Sequence, residues 1–245
     1  MLKNRIRLII ILAIVVLVLG FAISNIFMSG HEENALSDPK FVHETIVNNT
    51  TEPLGSVEVI KNIGNPNGQK IAYVVGVHPL ENDTHKTFLK MIPTLDTFNN
   101  CYDVYIINLT EDFSQYGQLL PDDQPGRATG QDMAYKYVYP QIVKGGYKMA
   151  CDVHAHGGAY GDHNTFVFCP VSGGVGESLA MNVSKSTQNV SYYDPEFTTS
   201  GPYLTIPLNE NGVPAFYFEE NSFFSQDVKD AHMLELIHAI DNLSL

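Results

Sequence analysis

The chain opens with three basic residues, Lys3, Arg5 and Arg7, and then an apolar run from Leu8 to Phe27 that Gly20, Ser24 and Asn25 interrupt only weakly. That run is close to the length of a bilayer span, and its basic flank favours an N-terminus left in the cytoplasm with the remainder facing outward. Ala22-Ile23-Ser24 offers a small-residue cleavage site, but the apolar stretch is long for a signal core, so a retained anchor is the favoured reading. From Ser29 to Pro53 the pattern turns polar and loses its apolar period, as a stalk would. The expected organisation is an anchor or signal segment over residues 1–28, a linker over 29–54 and one folded domain over 55–245.

Beyond Gly55, strand and helix patterns alternate. Val57 to Ile60 and Ile71 to Val77 read as a hairpin joined by the turn Asn65-Pro66-Asn67-Gly68. Thr84 to Leu95 carries Phe88, Leu89, Ile92 and Leu95 at helical spacing, and Val104 to Leu109 is a continuous apolar strand of the kind buried inside a parallel sheet. After a loop from Thr110 to Thr129, a helix runs from Gln131 to Lys144 and stops at Gly145-Gly146. Strands at Tyr147 to His154, Thr165 to Cys169, Tyr203 to Ile206 and Ala215 to Phe218, with helices at Glu177 to Thr187 and Asp227 to Leu243, complete the set. The expected class is α/β, a mixed and mostly parallel sheet flanked by helices. No internal repeat is present, which excludes a solenoid.

Charge narrows the partners. The chain has 14 Lys and Arg against 27 Asp and Glu, for a net charge of −13. Outside the anchor the balance is 11 to 27, or −16, which repels phosphate backbones and excludes nucleic acid as a partner. The sign suits solubility outside a cell or attraction to cationic wall material. Three cysteines, Cys101, Cys151 and Cys169, leave at least one unpaired, and no CxxC spacing marks a metal cluster; a single bridge and three small buried residues both remain open. Glycosylation triplets at Asn48, Asn49, Asn82, Asn108, Asn182, Asn189 and Asn242 fit an exported surface protein.

Three distant segments carry candidate chemistry: His78-Pro79-Leu80-Glu81, Asp152-Val153-His154-Ala155-His156, and Gly212-Val213-Pro214-Ala215-Phe216-Tyr217-Phe218-Glu219-Glu220. Each ends a predicted strand at the carboxyl edge where ligand sites gather in such sheets. His78 and Glu81, three apart at a strand-to-helix turn, project to one side, and a distant His completes two nitrogens and one oxygen for a zinc with an open position. Asp152 shares a strand face with His154 and is placed to orient its ring, with His156 as a rival ligand. Glu219 or Glu220 supplies a carboxylate to activate the remaining water, giving metal-assisted hydrolysis. Arg127, the only arginine outside the anchor, is suited to grip a carboxylate or polarise a carbonyl.

The order HxxE, DxH, GxPAFxxE resembles the zinc carboxypeptidase superfamily, including its succinylglutamate desuccinylase and aspartoacylase branch. The likeness runs from about Ile71 to Glu220. It implies His78, Glu81 and His154 as zinc ligands and Glu219 as the catalytic base and acid. Tyr217 stands where members carry Thr, and the Asn-Arg pair that grips a substrate carboxylate is absent, which leaves C-terminal exopeptidase specificity open. The implied function is a membrane-anchored, extracytoplasmic zinc hydrolase acting on an amide of a peptide, such as a cell-wall peptide. The alternatives are a deacylase of a small N-acyl amino acid and a non-catalytic metal-containing binding module. Oligomeric state is not legible.

Overall fold

The computed structural model describes residue 36 and residues 41–49, 55–94, 98–110, 126–196 and 198–245. Among these, no helix is long and apolar enough to cross a membrane, and the run from Leu8 to Phe27 lies outside them.

Eight strands form one mixed sheet: β1 (Val42–Asn49), β2 (Gly55–Gly64), β3 (Lys70–Val75), β4 (Cys101–Leu109), β5 (Met149–His156), β6 (Thr165–Phe168), β7 (Ser191–Tyr192) and β8 (Ala215–Asn221). Their spatial order is β1-β2-β4-β3-β5-β8-β6-β7. The four central strands β4, β3, β5 and β8 run parallel, which places their carboxyl ends on one edge. Both faces of this centre are covered, so β5 and β8 are buried along their whole length, as continuous apolar runs predict.

One face packs against α2 (Arg127–Met133), a wide π-helical turn (Ala134–Val138), α3 (Tyr139–Lys144) and α5 (Thr205–Glu210), through Val57, Ala72, Val74, Met133, Val138, Ile142, Leu208 and Ala215. The π turn comes just before Pro140, which has no N–H for residue 136 and whose ring would strike that carbonyl in a regular helix. The opposite face carries α1 (Asn82–Met91) and α6 (Gln226–Asp241), with Phe88 of α1 against Tyr73 at 4.6 Å between centroids. Lys90 and Asp230 join the two helices at 2.7 Å. α4 (Val175–Ser186) packs along the β6 and β8 side, where Gly176 is required because a Cβ would lie 2.8 Å from Ala215 O.

Three expectations are corrected. β2 and β3 are not a hairpin, since β4 lies between them, antiparallel to one and parallel to the other. A register shift between Ile60 and Ile63, with Asn62 at φ 63°, bends β2 so that the turn at Asn65 to Gly68 carries the chain over the start of β4; there Asn65 N donates to Asn100 O at 2.9 Å. The predicted strand at Tyr203 to Ile206 is helical: a 3-10 turn at Gly201–Tyr203 leads into α5, and Leu204 and Leu208, four apart, are both buried. Finally, the residues assigned to the stalk include β1, paired antiparallel to β2, so the folded unit begins before Gly55. As an edge strand β1 exposes Val42, His43, Glu44 and Thr45, which gives it the polar look of a linker.

Of the two arrangements open to the cysteines, the structure has three small buried residues and no bridge: Cys101, Cys151 and Cys169 are free and buried.

Candidate metal centre

The parallel register brings the three motifs together. His154 in β5 lies directly opposite Glu219 in β8, and β3 leads through Gly76 to His78. Gly76, at φ 91°, passes so close to β4 that a Cβ would lie 2.1 Å from Ile107 O. A second close approach seats α2 on the same segment, with Gly130 admitting no Cβ because Val77 O would lie 2.0 Å away. A 3-10 turn at Pro79–Glu81 then points Glu81 back toward His78.

His78, Glu81 and His154 are buried and offer ligand atoms within 4.8 Å of one another. His78 Nδ1 is 2.8 Å from Glu81 Oε1, His154 Nδ1 is 2.8 Å from Glu81 Oε2, and the two Nδ1 atoms are 3.1 Å apart. Donors held at about 2.0–2.1 Å around a tetrahedral ion sit roughly 3.3 Å from one another, so this set fits zinc with small adjustments. No other group of three or more such side chains is found among the described residues.

The surrounding groups orient the ligands. Glu81 Oε2 also accepts the Ala155 backbone N–H at 3.0 Å, fixing the carboxylate to β5. Asp152 Oδ2 lies 3.0 Å from His154 Nε2, close enough for charge pairing though out of line for a hydrogen bond. The side-chain amide of Gln131 lies 3.1 Å from His78 Nε2 and fixes the plane of that ring. Gln131 is the functional neighbour the sequence reading missed; its signal is position, one helical turn after Arg127 and on the same face of α2.

Electrostatics follow burial and charge. Burial lowers His78 to about 4, so it is a neutral imidazole at neutral pH. Burial also works against a charged His154, but Asp152 and Glu81 outweigh it and hold the imidazolium well above its usual range. Glu81 is pushed up by burial and pulled further down by the two imidazoles, ending well below the usual carboxylate range. A divalent cation would replace the His154 proton at the same Nδ1, which makes metal affinity pH-dependent.

Glu219 faces the same cleft as this cluster, and Glu220 does not. Glu220 is fully buried on the other face, where Thr165 Oγ1 donates to it at 2.9 Å and His232 Nδ1 sits 3.2 Å away. Glu219 Oε2 is buried with no hydrogen-bond partner. Burial raises its carboxyl to about 8, with His154 opposing and Glu81 assisting. Between roughly pH 4.5 and 8 the folded, metal-free chain therefore keeps a proton there that the unfolded chain has released, and stability falls as pH rises through this window. Urea midpoints of the metal-free chain should decline from pH 5 to pH 8 by more than those of Glu219→Gln; parallel declines would remove Glu219 as the source.

His156 is not in the cluster. Its Nε2 is 2.9 Å from Asn164 O, and its Nδ1 accepts the Gly158 N–H at 3.1 Å. Tyr217 lies behind the site, fully buried, stacked on Phe168 at 4.7 Å and edge-on to His154 at 5.2 Å, with its hydroxyl accepting from Ser200 at 3.0 Å. It fills the floor under His154. Arg127 reaches the site from the start of α2: Nη2 donates to Thr199 Oγ1 at 2.7 Å, and Nη1 is 3.8 Å from Glu81 Oε1. His78, Arg127 and Glu219 line one cleft of about 380 Å³ together with Tyr160, Tyr193, Glu196 and Thr198 to Ser200.

No family model matches the chain, and no curated protein matches it. Solved structures do. The tripeptide-bound cell shape determinant Csd4 from Helicobacter pylori aligns with TM-score 0.53 and 14% identity over 76% of this chain and 55% of its own. A protein from Shewanella denitrificans provisionally assigned as carboxypeptidase A aligns with TM-score 0.59 and 12% identity over 86% and 67%. A metallo-carboxypeptidase from Burkholderia cenocepacia gives TM-score 0.52 and 12% identity over 84% and 65%. The chain thus spans little more than half the length of Csd4, whose mDAP-bound form is described as a D,L-carboxypeptidase. These likenesses establish the architecture: the folded domain has the metallo-carboxypeptidase fold, with its mixed sheet and flanking helices.

Proposed function

We propose that this chain is a zinc-dependent hydrolase, anchored in the membrane by residues 8–27 and facing outward, that cleaves an amide bond in a cell-wall peptide. One observation carries the reading: the unpaired, buried carboxylate of Glu219 opens on a cleft beside three converging N and O donors. A protein that only holds a metal has no need of that proton acceptor. The wall substrate draws support from the outward placement and from the fold shared with Csd4, which is described in tripeptide-bound and mDAP-bound forms.

In this reading His78, Glu81 and His154 hold zinc, which when bound supplies a Lewis acid for the scissile carbonyl and acidifies a water. Glu219 takes the proton of the attacking water and passes it to the leaving nitrogen. Its position opposite His154 keeps it in line with the cluster, while the closed floor made by Tyr217 and Phe168 keeps bulk water from behind. Arg127, steadied by Thr199, presents its remaining N–H groups to the oxygen on which charge develops or to a substrate carboxylate.

Metal analysis of the purified full chain should give one zinc per chain. Mass spectrometry should then find cleaved products from wall-derived peptides and none from a panel of N-acyl amino acids. Cleavage of the N-acyl amino acids alone would replace the peptide substrate with a small one, and a zinc-loaded chain inert toward both panels would leave a binding module.

A further inference from the structure

Each imidazole of the metal cluster has a partner behind it, and the two partners differ in kind. Both rings turn Nδ1 toward Glu81, each 2.8 Å from a carboxylate oxygen. An oxygen of that kind at that distance accepts, so each Nδ1 carries a hydrogen in the metal-free chain. Behind His154, Nε2 faces Asp152 at 3.0 Å, and an ionised carboxylate only accepts. Behind His78, Nε2 faces the side-chain nitrogen of Gln131 at 3.1 Å, and an amide NH2 only donates. The uncharged His78 ring has its one hydrogen on Nδ1, so its bare Nε2 accepts from Gln131.

A metal reverses that demand. The Nδ1 atoms of the two rings converge at 3.1 Å, and a cation held there needs their lone pairs. The hydrogen of His78 must then sit on Nε2, which changes from acceptor to donor while the ring stays uncharged. His78 and Gln131 are both buried, so an NH2 group left facing that N–H would strand two donors away from water. A half turn of the amide relieves this by bringing its carbonyl oxygen to the same place. Lys could only donate there, and ionised Asp or Glu could only accept. The helix leaves the adjustment to the side chain, because Gly130 beside Gln131 lies so close to Val77 O that a Cβ would stand 2.0 Å from it. We infer that Gln131 is a positioning residue that follows the tautomer of His78: its amide donates to the ring in the metal-free chain and, turned over, accepts from the ring when the site is loaded. This rests on the metal reading of the cluster and is independent of which bond is cleaved.

The test needs no substrate. In the 15N-labelled full chain, a scalar coupling across the N–H···N bond should join the Gln131 side-chain nitrogen to His78 Nε2 without metal. Zinc loading should abolish it and move the His78 hydrogen from Nδ1 to Nε2. Chelator competition should show Gln131→Met, similar in length but with no acceptor oxygen, binding zinc about 10–100-fold more weakly, the usual cost of losing an orienting partner. Gln131→Glu retains an acceptor and should bind zinc nearly as the wild type does. Gln141→Met, at an exposed position of α3, should match the wild type. A coupling that is absent without metal or persists after loading overturns the inference, as does equal zinc affinity in wild type and Gln131→Met, or a Gln131→Glu as weak as Gln131→Met; in each case a zinc-loaded wild type leaves the metal centre standing. A wild-type chain that takes up no zinc ends both. Should Gln131→Met lose its cooperative melting, the coupling in the wild-type chain decides.

Discussion

Glu219→Gln should lower kcat by about 10²–10⁴-fold, the usual contribution of a positioned general base, with the zinc content unchanged. The amide keeps the size of the carboxylate and loses only its ability to take a proton. Glu219 is the right place for so specific a loss because it belongs to none of the close contacts that join His78, Glu81 and His154. The substitution also removes a buried carboxyl group with an unpaired oxygen, so the fold should hold at neutral pH. Thermal melting and metal content measured with turnover separate the outcomes. A stable, zinc-replete and fully active variant would strip Glu219 of its role.

The two histidines should differ in a way that their charges dictate. Truncation of either removes a ligand atom, so zinc affinity should fall by well over 100-fold, more than the loss of an orienting neighbour costs. His154 is held protonated between Asp152 and Glu81, both buried, and His154→Ala leaves Asp152 with no cation among the described residues and Glu81 with Arg127 alone, at 3.8 Å. Breaking a buried pair in this way costs about 3–5 kcal/mol. His78 is neutral at physiological pH, so His78→Ala removes volume and a metal ligand without stranding a charge. In the absence of metal, His154→Ala should therefore melt well below His78→Ala, while both fail to gain stability from added zinc. Equal melting points would mean that the His154 charge does not hold this site together.

Much of the architecture was legible because the chemistry sits at strand ends. The continuous apolar run of β4, with its amide partners buried on both faces, could only be an inner strand, and β5 and β8 each finish in residues too polar for a core. Placing His78, His154 and Glu219 at such ends brought them to one edge, as the structure has them. What stayed hidden depended on partners distant in sequence. Burial of β8 on both faces removed the alternation that would have separated Glu219 from Glu220; only the opposite placement of His154 and His232 tells them apart. The place of β4 between β2 and β3 depends on a bulge at Asn62 that no local period reveals. β1 is disguised by its exposure, and Gln131 by sitting in a helix whose sequence gives no hint that it faces an imidazole.

Two adjacent acids on opposite faces of one strand make chain length as decisive as composition. Deleting or inserting a single residue in the turn at 211–214 would rotate every side chain of β8 by half a turn, handing the cleft to Glu220 and sending Glu219 toward His232. Gly212, at φ 80°, and buried Val213 constrain the residue types in that turn, and indels there would silence the protein even with each acidic residue left in its sequence context.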